Sequence, residues 1–171
     1  LKDDRAIYST LLSSQGKLLH DFFLFKDMGK IYLDAPKYNI KKLKEKLKFY
    51  KLNRDLNISE KKIYSYFLFF GKSVNKILGL AKKLGEYKKV SSRKIFNDPR
   101  NINLGSRIIC STKKDEDELF KIIKKTKMLS NFDEYEKQRI LNCVPDIEKD
   151  NLYNKAYLLQ YNFENLNSIC W

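Results

Sequence analysis

Two β-prone runs over residues 6–13 and 17–25 flank the short polar segment Ser14-Gln15-Gly16. Glycine readily adopts the positive φ that a tight turn between antiparallel strands requires. Aromatic and aliphatic residues dominate both runs, as they do in strands that join a sheet. The pattern therefore predicts a β-hairpin at the start of the chain. A second turn at residues 27–29 predicts a third strand over Lys30–Asp34.

Helical spacing replaces the strand pattern after residue 34. Pro36 fits the first turn of a helix, where its missing N–H costs no hydrogen bond. Apolar residues then recur three or four positions apart from Ile40 to Tyr50. These features predict an amphipathic helix over residues 36–50.

The middle of the chain alternates short strand candidates with one helix. The helix is predicted to begin after Ser73 and to end at Gly85, a residue type that commonly terminates helices. The predicted strands span residues 56–59, 63–70, 92–96 and 106–111. The order from residue 30 to 111 is thus β-α-β-β-α-β-β, which contains the alternation of a ferredoxin-like split βαβ core. The predicted fold class is α+β, with antiparallel sheets and packed helices.

The last third of the chain has a different character. Apolar residues at helical spacing predict one helix over residues 115–127 and another over residues 135–143. Either Asn131 or Asp133 is a suitable N-cap for the second helix. Residues 146–171 are rich in Asn and Tyr and show no clear periodicity, so we expect irregular structure there.

The chain is strongly basic. Its 171 residues include 35 Lys and Arg against 21 Asp and Glu, which gives a formal net charge of +14. Such an excess suggests a polyanionic partner, because binding releases condensed counterions. However, lysines far outnumber the arginines whose guanidinium fork suits base and phosphate recognition. We therefore favour a solvated lysine surface and keep a nucleic-acid interface as the alternative.

Several other classes are disfavoured by what the chain contains. No apolar run approaches the roughly 20 residues of a membrane helix, so we expect no span. The thiols Cys110, Cys143 and Cys170 are far apart and His20 is the single histidine, which disfavours a closed metal site and suits a reducing compartment. His20 lies beside Asp21 on a predicted strand, where neighbours point to opposite faces. We expect His20 to be structural.

Turn-forming residues concentrate in the segment NDPRNINLGSR at residues 97–107. One interpretation is an ordinary strand connection in which Asp98 caps backbone amides. The other is a site for an anionic ligand at Arg100 and Arg107, since loops on a rigid scaffold often carry function. The residues alone leave both interpretations open.

Two later segments are also candidate functional regions. Glu136 and Arg139 are three residues apart on a predicted helix, a spacing that is typical of a weak surface ion pair. Residues 160–166 mix aromatic and amide side chains. This mixture suits either a tail packed against a pocket or the recognition of a planar heterocycle.

Five segments, taken in order, resemble motifs of the YgfZ-type folate-binding proteins. These are iron–sulfur cluster assembly factors related to the aminomethyltransferase, or T-protein, of glycine cleavage. Residues 11–25 resemble the hairpin L-x-x-x-G-[KR]-x-x-x-D, and residues 47–58 the family's helix exit and following strand. Residues 97–109 resemble D-P-R-x-x-x-L-G-x-R, residues 135–147 Y-x-x-x-R-x-x-x-G-x-P and residues 158–171 P-x-[EQ]-x-N-x-x-x-L-x-x-[IV]-S-F. The mitochondrial branch is the closer match.

The resemblance implies a GcvT/YgfZ-like folate-binding fold. Residues 1–29 would form a hairpin of the first folate-binding subdomain, residues 30–111 a split βαβ subdomain, and residues 112–171 a helical and irregular segment that returns to the first. The family's K-G-C-Y-x-G-Q-E motif would follow Trp171, and a first strand–helix segment and a C-terminal barrel domain would also lie outside. The resemblance thus implies an internal fragment, with any targeting segment removed or not included.

A cofactor, a cargo and partners are implied in the same way. Gln160 and Asn162 would line the cavity for tetrahydrofolate, and Arg139, Arg100 and Arg107 are further candidate cofactor-binding residues. The iron–sulfur cluster would be shared with A-type carrier proteins through a cysteine outside this chain. The leading hypothesis is a non-catalytic factor that assists maturation of four-iron four-sulfur proteins in the mitochondrial matrix, without nucleic-acid or membrane partners.

Two departures from the family pattern shape the alternatives. Leu141 stands where the T-protein carries a pterin-binding carboxylate, so we rank a folate-dependent aminomethyltransferase last. Cys143 replaces the family's usual glycine, and Cys170-Trp171 its Ser-Phe, so the local turns are expected to differ. The rival from a different class is an RNA- or polyanion-binding module.

Overall fold

A computed structural model describes residues 1–71, 73–126 and 130–169, without the side chains of residues 125 and 126. The described chain is mixed α+β, with two antiparallel sheets and four α-helices. This confirms the predicted α+β class. Residue 127 of the predicted helix and the pair Cys170-Trp171 lie outside the described residues.

The first sheet is a three-stranded meander of β1 (Ile7–Leu12), β2 (Leu18–Asp27) and β3 (Lys30–Asp34). Gly16 has a φ of 77°, and its N–H donates to the carbonyl of Ser13 at 3.0 Å. The predicted hairpin and third strand are therefore confirmed. Because β3 pairs with β2, the predicted β-α-β-β-α-β-β series is divided between two sheets.

The second sheet has four strands, and every neighbouring pair is antiparallel. Its spatial order is β4-β7-β6-β5, with β4 at Ser65–Phe69, β5 at Tyr87–Val90, β6 at Arg93–Asn97 and β7 at Ser106–Cys110. The strands predicted at residues 63–70, 92–96 and 106–111 are confirmed to within two residues at each end. The division of the chain at residues 29 and 111 stays a prediction.

Two features of this region differ from the sequence prediction. The prediction of a strand at residues 56–59 is wrong, because residues 54–63 form neither helix nor strand and Leu56, at 53% exposed, has no buried face to stabilise a strand there. Strand β5 was not predicted, because its two lysines obscure the alternation. Ser91 has a φ of 57° in the turn that returns the chain from β5 to β6.

The helices are α1 (Ile40–Tyr50), α2 (Val74–Leu78), α3 (Lys113–Thr126) and α4 (Phe132–Leu141). Single 3₁₀ turns occur at Lys37–Asn39, Ile102–Leu104 and Leu158–Tyr161. The predicted helix after Ser73 is much shorter than expected, because Gly79 adopts a φ of 64° and ends it six residues before Gly85. Asn131 caps α4 and accepts a hydrogen bond from the Glu134 N–H at 3.1 Å.

Two clusters of apolar side chains hold these layers together. In the larger one, Phe25 of the first sheet packs on Phe96 of the second with ring centroids 5.5 Å apart. The tail joins the same cluster through Phe163, and the Leu18 N–H donates to the carbonyl of Ala156 at 2.9 Å. The smaller cluster lies between the second sheet and α3 and contains Leu119. The non-helical tail therefore returns to the first sheet.

Candidate ligand-binding site

Asp98, at the end of β6, is the centre of a buried ion cluster with Arg100 and Arg107. Its Oδ2 accepts from Nη2 of Arg100 at 2.8 Å and from Nη2 of Arg107 at 3.0 Å. Its Oδ1 accepts from both Nε and the backbone N–H of Arg100 at 3.0 Å. One carboxylate thus serves two guanidiniums and also caps a backbone amide, the local role considered for it from sequence.

Local backbone geometry explains why these three groups meet. The Asp98 N–H donates to the carbonyl of Gly105 at 2.8 Å and closes the loop between β6 and β7. Gly105 has a φ of 80°, and a Cβ at this position would collide with the backbone oxygen of Phe69. Only glycine at position 105 lets β7 begin this close to β4. This close approach places Arg107 of β7 near Asp98.

Aromatic side chains surround the two guanidiniums. Phe23 of β2 lies 4.4 Å from the Arg107 guanidinium and 5.0 Å from that of Arg100, measured to the ring centroid. The Tyr135 hydroxyl on α4 accepts from Nη2 of Arg100 at 3.3 Å and from Nη2 of Arg107 at 3.1 Å. The cluster therefore joins the first sheet, the second sheet and α4.

Two further carboxyl groups border the cluster. The Tyr66 hydroxyl accepts from Nη1 of Arg107 at 3.1 Å and donates to Asp34 at 2.7 Å, while the Tyr8 hydroxyl donates to Asp21 at 2.9 Å. Burial raises the pKa of both Asp34 and Asp21, against the lowering effect of the nearby guanidiniums. These carboxyls therefore border the cluster through the two tyrosine hydroxyls.

The pKa of Asp98 shifts in the opposite direction. Burial alone would raise its pKa, but the charges and hydrogen bonds of Arg100 and Arg107 outweigh burial and hold the pKa at about 2. Asp98 is fully buried and Arg100 is 7% exposed, so this ion pair is shielded from solvent. Both guanidiniums are already bound to a carboxylate of the same chain. The cluster therefore stabilises the packing of the two sheets and α4.

A separate pocket brings together the other three predicted site residues. Arg139 of α4 and the tail residues Gln160 and Asn162 line one cavity of about 350 Å³. Ile140, Cys143, Val144, Pro145, Asp150 and Tyr161 complete its lining. The volume lies at the lower end of the range for small-molecule sites, about 300–1,000 Å³.

Arg139 shapes this pocket by holding the chain that leaves α4. Its Nη1 donates to the carbonyl of Val144 at 2.7 Å and to Asp150 at 2.9 Å, and its Nε donates to Glu136 at 3.3 Å. The expected pair with Glu136 is thus present, but Arg139 is only 6% exposed and its main contacts are to the loop. The guanidinium fixes the wall of the pocket.

The two amide side chains of the pocket come from the tail. The Gln160 Oε1 accepts from the N–H of Tyr157 at 3.2 Å, and the Asn162 Nδ2 donates to the carbonyl of Cys143 at 3.3 Å. Gln160 is exposed and Asn162 half-buried. The Asn162 Oδ1 also accepts from the Asn165 Nδ2 at 2.6 Å. Gln160 is therefore held at its oxygen and Asn162 at both ends, which orients each amide at the pocket surface while one N–H of Asn162 and the Gln160 NH₂ remain as donors.

Cys143 and Leu141, which the sequence comparison singled out, differ in their surroundings. Cys143 has a φ of 53°, the left-handed conformation that favours glycine. Leu141 is 66% exposed and is absent from the described lining of the pocket.

The site residues predicted from sequence thus fall into two groups. Arg100 and Arg107 meet at Asp98, whereas Arg139, Gln160 and Asn162 meet at the pocket. The roles of Tyr66, Tyr135 and Asp34 were missed, and no local sequence pattern links residues from β4, α4 and β3. Among the described residues, no group of three or more His, Cys, Asp or Glu is placed to hold a metal ion, and no helix is long and apolar enough to cross a bilayer.

No protein-family model matches this chain, and no curated protein matches it either.

Proposed function

We propose that this chain is the pterin-binding scaffold of an iron–sulfur cluster assembly factor with the GcvT/YgfZ-like fold and its ferredoxin-like split βαβ core. The observation that carries the proposal is the convergence of Arg139, Gln160 and Asn162 on one pocket. These residues come from two segments that resemble two different motifs of that family. The α+β class with two antiparallel sheets is compatible with the same fold.

The pocket has the size and polarity that a pterin ring requires. Its volume of about 350 Å³ accommodates a bicyclic heterocycle and part of a linker. The Gln160 NH₂ and one N–H of Asn162 remain as donors, which match the acceptor atoms along a pterin edge. Ile140, Val144 and Tyr161 provide apolar wall area beside them.

Tetrahydrofolate would supply a planar heterocycle with a hydrogen-bonding edge. Its ability to carry one-carbon groups has no part in the proposed function. The T-protein position for the pterin-binding carboxylate is Leu141, whose exposed alkyl side chain accepts no hydrogen bond. Aminomethyl transfer is therefore the least favoured function. In the proposed role Arg139 fixes the pocket wall and the two amides orient the ring.

The cluster itself is cargo in this proposal. The two cysteines that the structure describes are poor candidates for holding it, because Cys110 is fully buried, which raises the pKa of its thiol, and Cys143 has no second thiol among the described residues beside it. We propose that a cysteine outside residues 1–171 contacts the cluster, and that an A-type carrier protein provides the remaining ligands in the mitochondrial matrix.

A cluster-sharing assay tests this function. The full-length parent protein is mixed with an A-type carrier under reducing, anaerobic conditions, and cluster absorbance and Mössbauer spectra are recorded. The proposal expects a cluster signal that requires both proteins. A spectrum identical to that of the carrier alone would contradict it.

One observation favours a second candidate, an RNA- or polyanion-binding module. Helix α1 carries lysines on most of its surface, at positions 41, 42, 44, 46 and 48. At its C-terminal end Phe49 is 73% exposed and Tyr50 is 47% exposed, which is the combination of cations and aromatic faces that single-stranded RNA recognition uses. Micromolar RNA binding that weakens steeply with salt, without folate or carrier binding, would favour this candidate.

A further inference from the structure

A second pocket lies on the other face of the first sheet, between β2 and α1. Its volume is about 320 Å³, and it is lined by His20, Lys42, Glu45, Lys46, Phe49 and Tyr153. Alternation along β2 places Asp21 and Phe23 toward the second sheet and His20 toward α1. This pocket therefore lies on the opposite face of β2 from the Asp98 cluster, and its lining shares no residue with that of the Arg139 pocket.

His20 is the buried residue of this pocket's lining. Neither imidazole nitrogen has a hydrogen bond of good geometry among the described residues, although the Asn39 side chain is close enough for a weak hydrogen bond that raises the pKa of the ring. A buried polar group without a partner costs about 1–3 kcal/mol. Both nitrogens are covered by protein atoms, so the ring is a buried part of the lining and the exposed lysine and aromatic side chains are the groups that a ligand would contact.

Burial and, after it, the nearby lysines favour the neutral form of the ring by lowering its pKa. Burial lowers the pKa of His20, and the ammonium groups of Lys42 and Lys46 lower it further, while the adjoining Asn39 side chain acts in the opposite direction. Glu45 is the acidic residue of the lining. A neutral imidazole presents one N–H donor and one nitrogen acceptor.

Two lysines provide positive charge at the rim. Lys42 and Lys46 are four residues apart and share one face of α1, and both are exposed. Neither forms an ion pair with any residue that the structure describes, whereas Lys44 on the adjacent face pairs with Glu60 at 3.0 Å. The two unpaired ammonium groups are available to an anion.

Aromatic rings form the remaining walls. The Tyr153 ring meets the His20 ring edge-on at a centroid distance of 5.9 Å, and the Lys42 Nζ lies 5.9 Å from the same Tyr153 centroid. Phe49 is 73% exposed and lines the pocket from the end of α1. An apolar ring would gain contact area against these two residues.

We propose that this pocket binds a small aromatic molecule that carries one anionic group. The aromatic ring packs against Tyr153 and Phe49, the anionic group lies between Lys42 and Lys46, and the buried His20 ring lies beside the bound ligand. The site is independent of the proposed pterin pocket.

Because the chain has a single histidine, its imidazole NMR signals report on this pocket. The imidazole resonances of His20 are followed by NMR while phenyl phosphate, inorganic phosphate or benzyl alcohol is added to the chain. We expect phenyl phosphate to shift these resonances saturably and to bind about tenfold more tightly than either of the other two probes. Equal affinity for inorganic phosphate and phenyl phosphate, or unchanged His20 resonances, would overturn the proposal.

Variants on the surface of α1 separate this site from general attraction to a basic helix. Lys42→Gln combined with Lys46→Gln should weaken phenyl phosphate binding about fivefold, since exposed charge pairs are individually weak. The matched control is Lys48→Gln, which removes a lysine from the same helix but outside the pocket. The control should bind as the unsubstituted chain does, and an equal loss in the control would refute the site.

Discussion

Tyr135 and Arg139 are four residues apart on α4 and serve two different sites. The Tyr135 hydroxyl accepts hydrogen bonds from Arg100 and Arg107 at 3.3 and 3.1 Å, whereas Arg139 donates to the carbonyl of Val144 at 2.7 Å. One turn of helix therefore connects the buried ion cluster to the wall of the candidate pterin pocket. Movement of α4 against the sheets would alter both sites together.

Asp98→Asn should destabilise the fold by about 3–5 kcal/mol, because it removes the charge that compensates two buried guanidiniums. Asp3→Asn is the matched control, since it also breaks a carboxylate pair, with Lys26 at 2.9 Å, but at an 81% exposed side chain. The control should cost less than about 1 kcal/mol. Urea unfolding of the three proteins measures both differences, and similar values for the two variants would contradict the account.

The acid sensitivity of the chain should reflect the same carboxylate. The pKa of Asp98 is lowered from 3.8 to about 2 in the folded protein, so the stability it contributes is fully present above pH 3.8 and is lost as pH falls through about 2. Asp21 and Asp34 act in the opposite sense, because burial raises the pKa of each. Carboxyl-carbon NMR should show Asp98 titrating below both. An Asp98 midpoint near 4 would be inconsistent with the cluster.

Gly105→Ala should be far more damaging than Gly29→Ala. Both glycines have positive φ, so alanine pays about 1–2 kcal/mol of backbone strain at either position. Only at Gly105 would the new Cβ also collide with the backbone of Phe69, while at Gly29 it meets nothing within 4 Å. Thermal unfolding should show a modest loss for Gly29→Ala and a much larger loss, or no folding, for Gly105→Ala. Equal losses would disprove the close approach of β7 to β4.

The turn after α4 can be tested at Cys143. With a φ of 53°, this residue gains from replacement by glycine, and Cys143→Gly should be about 1 kcal/mol more stable than Cys143→Ala. Because both variants remove the thiol, the difference isolates the backbone. Denaturant unfolding measures it, and a less stable glycine variant would mean that the turn is not left-handed in solution.

Local sequence patterns predicted the individual helices and strands of this fold better than they predicted which strands pair. Gly16 and Asn131 act within a few residues of themselves, so the first hairpin was predicted from sequence and Asn131 was one of the two N-caps considered, although α4 begins three residues earlier than predicted. Strand β5 could not, because its lysines face solvent and only its pairing with β6 defines it. The segment 56–59 has β-prone residues but pairs with no strand of either sheet.

For the candidate sites as well, single residues could be predicted from sequence better than the contacts between them. Arg100 and Arg107 were singled out because their loop is dense in turn-forming residues, but their shared partnership with Asp98 depends on the approach of β7 to β4. Arg139 and Gln160 come together because the tail returns to the first sheet. No periodic pattern in the tail sequence predicts that return. The role of His20 also depends on tertiary packing, since α1 and Tyr153 close its pocket from distant parts of the sequence.

Titration calorimetry of the chain with tetrahydrofolate under anaerobic conditions tests the central proposal most directly. Saturable binding is expected, and the double variant Gln160→Ala/Asn162→Ala should weaken it about tenfold by removing two orienting hydrogen bonds. Gln15→Ala, which removes an exposed amide from the hairpin turn, should bind normally. No saturable heat with the unsubstituted chain, or the same loss in Gln15→Ala as in the double variant, would contradict the proposed pterin pocket.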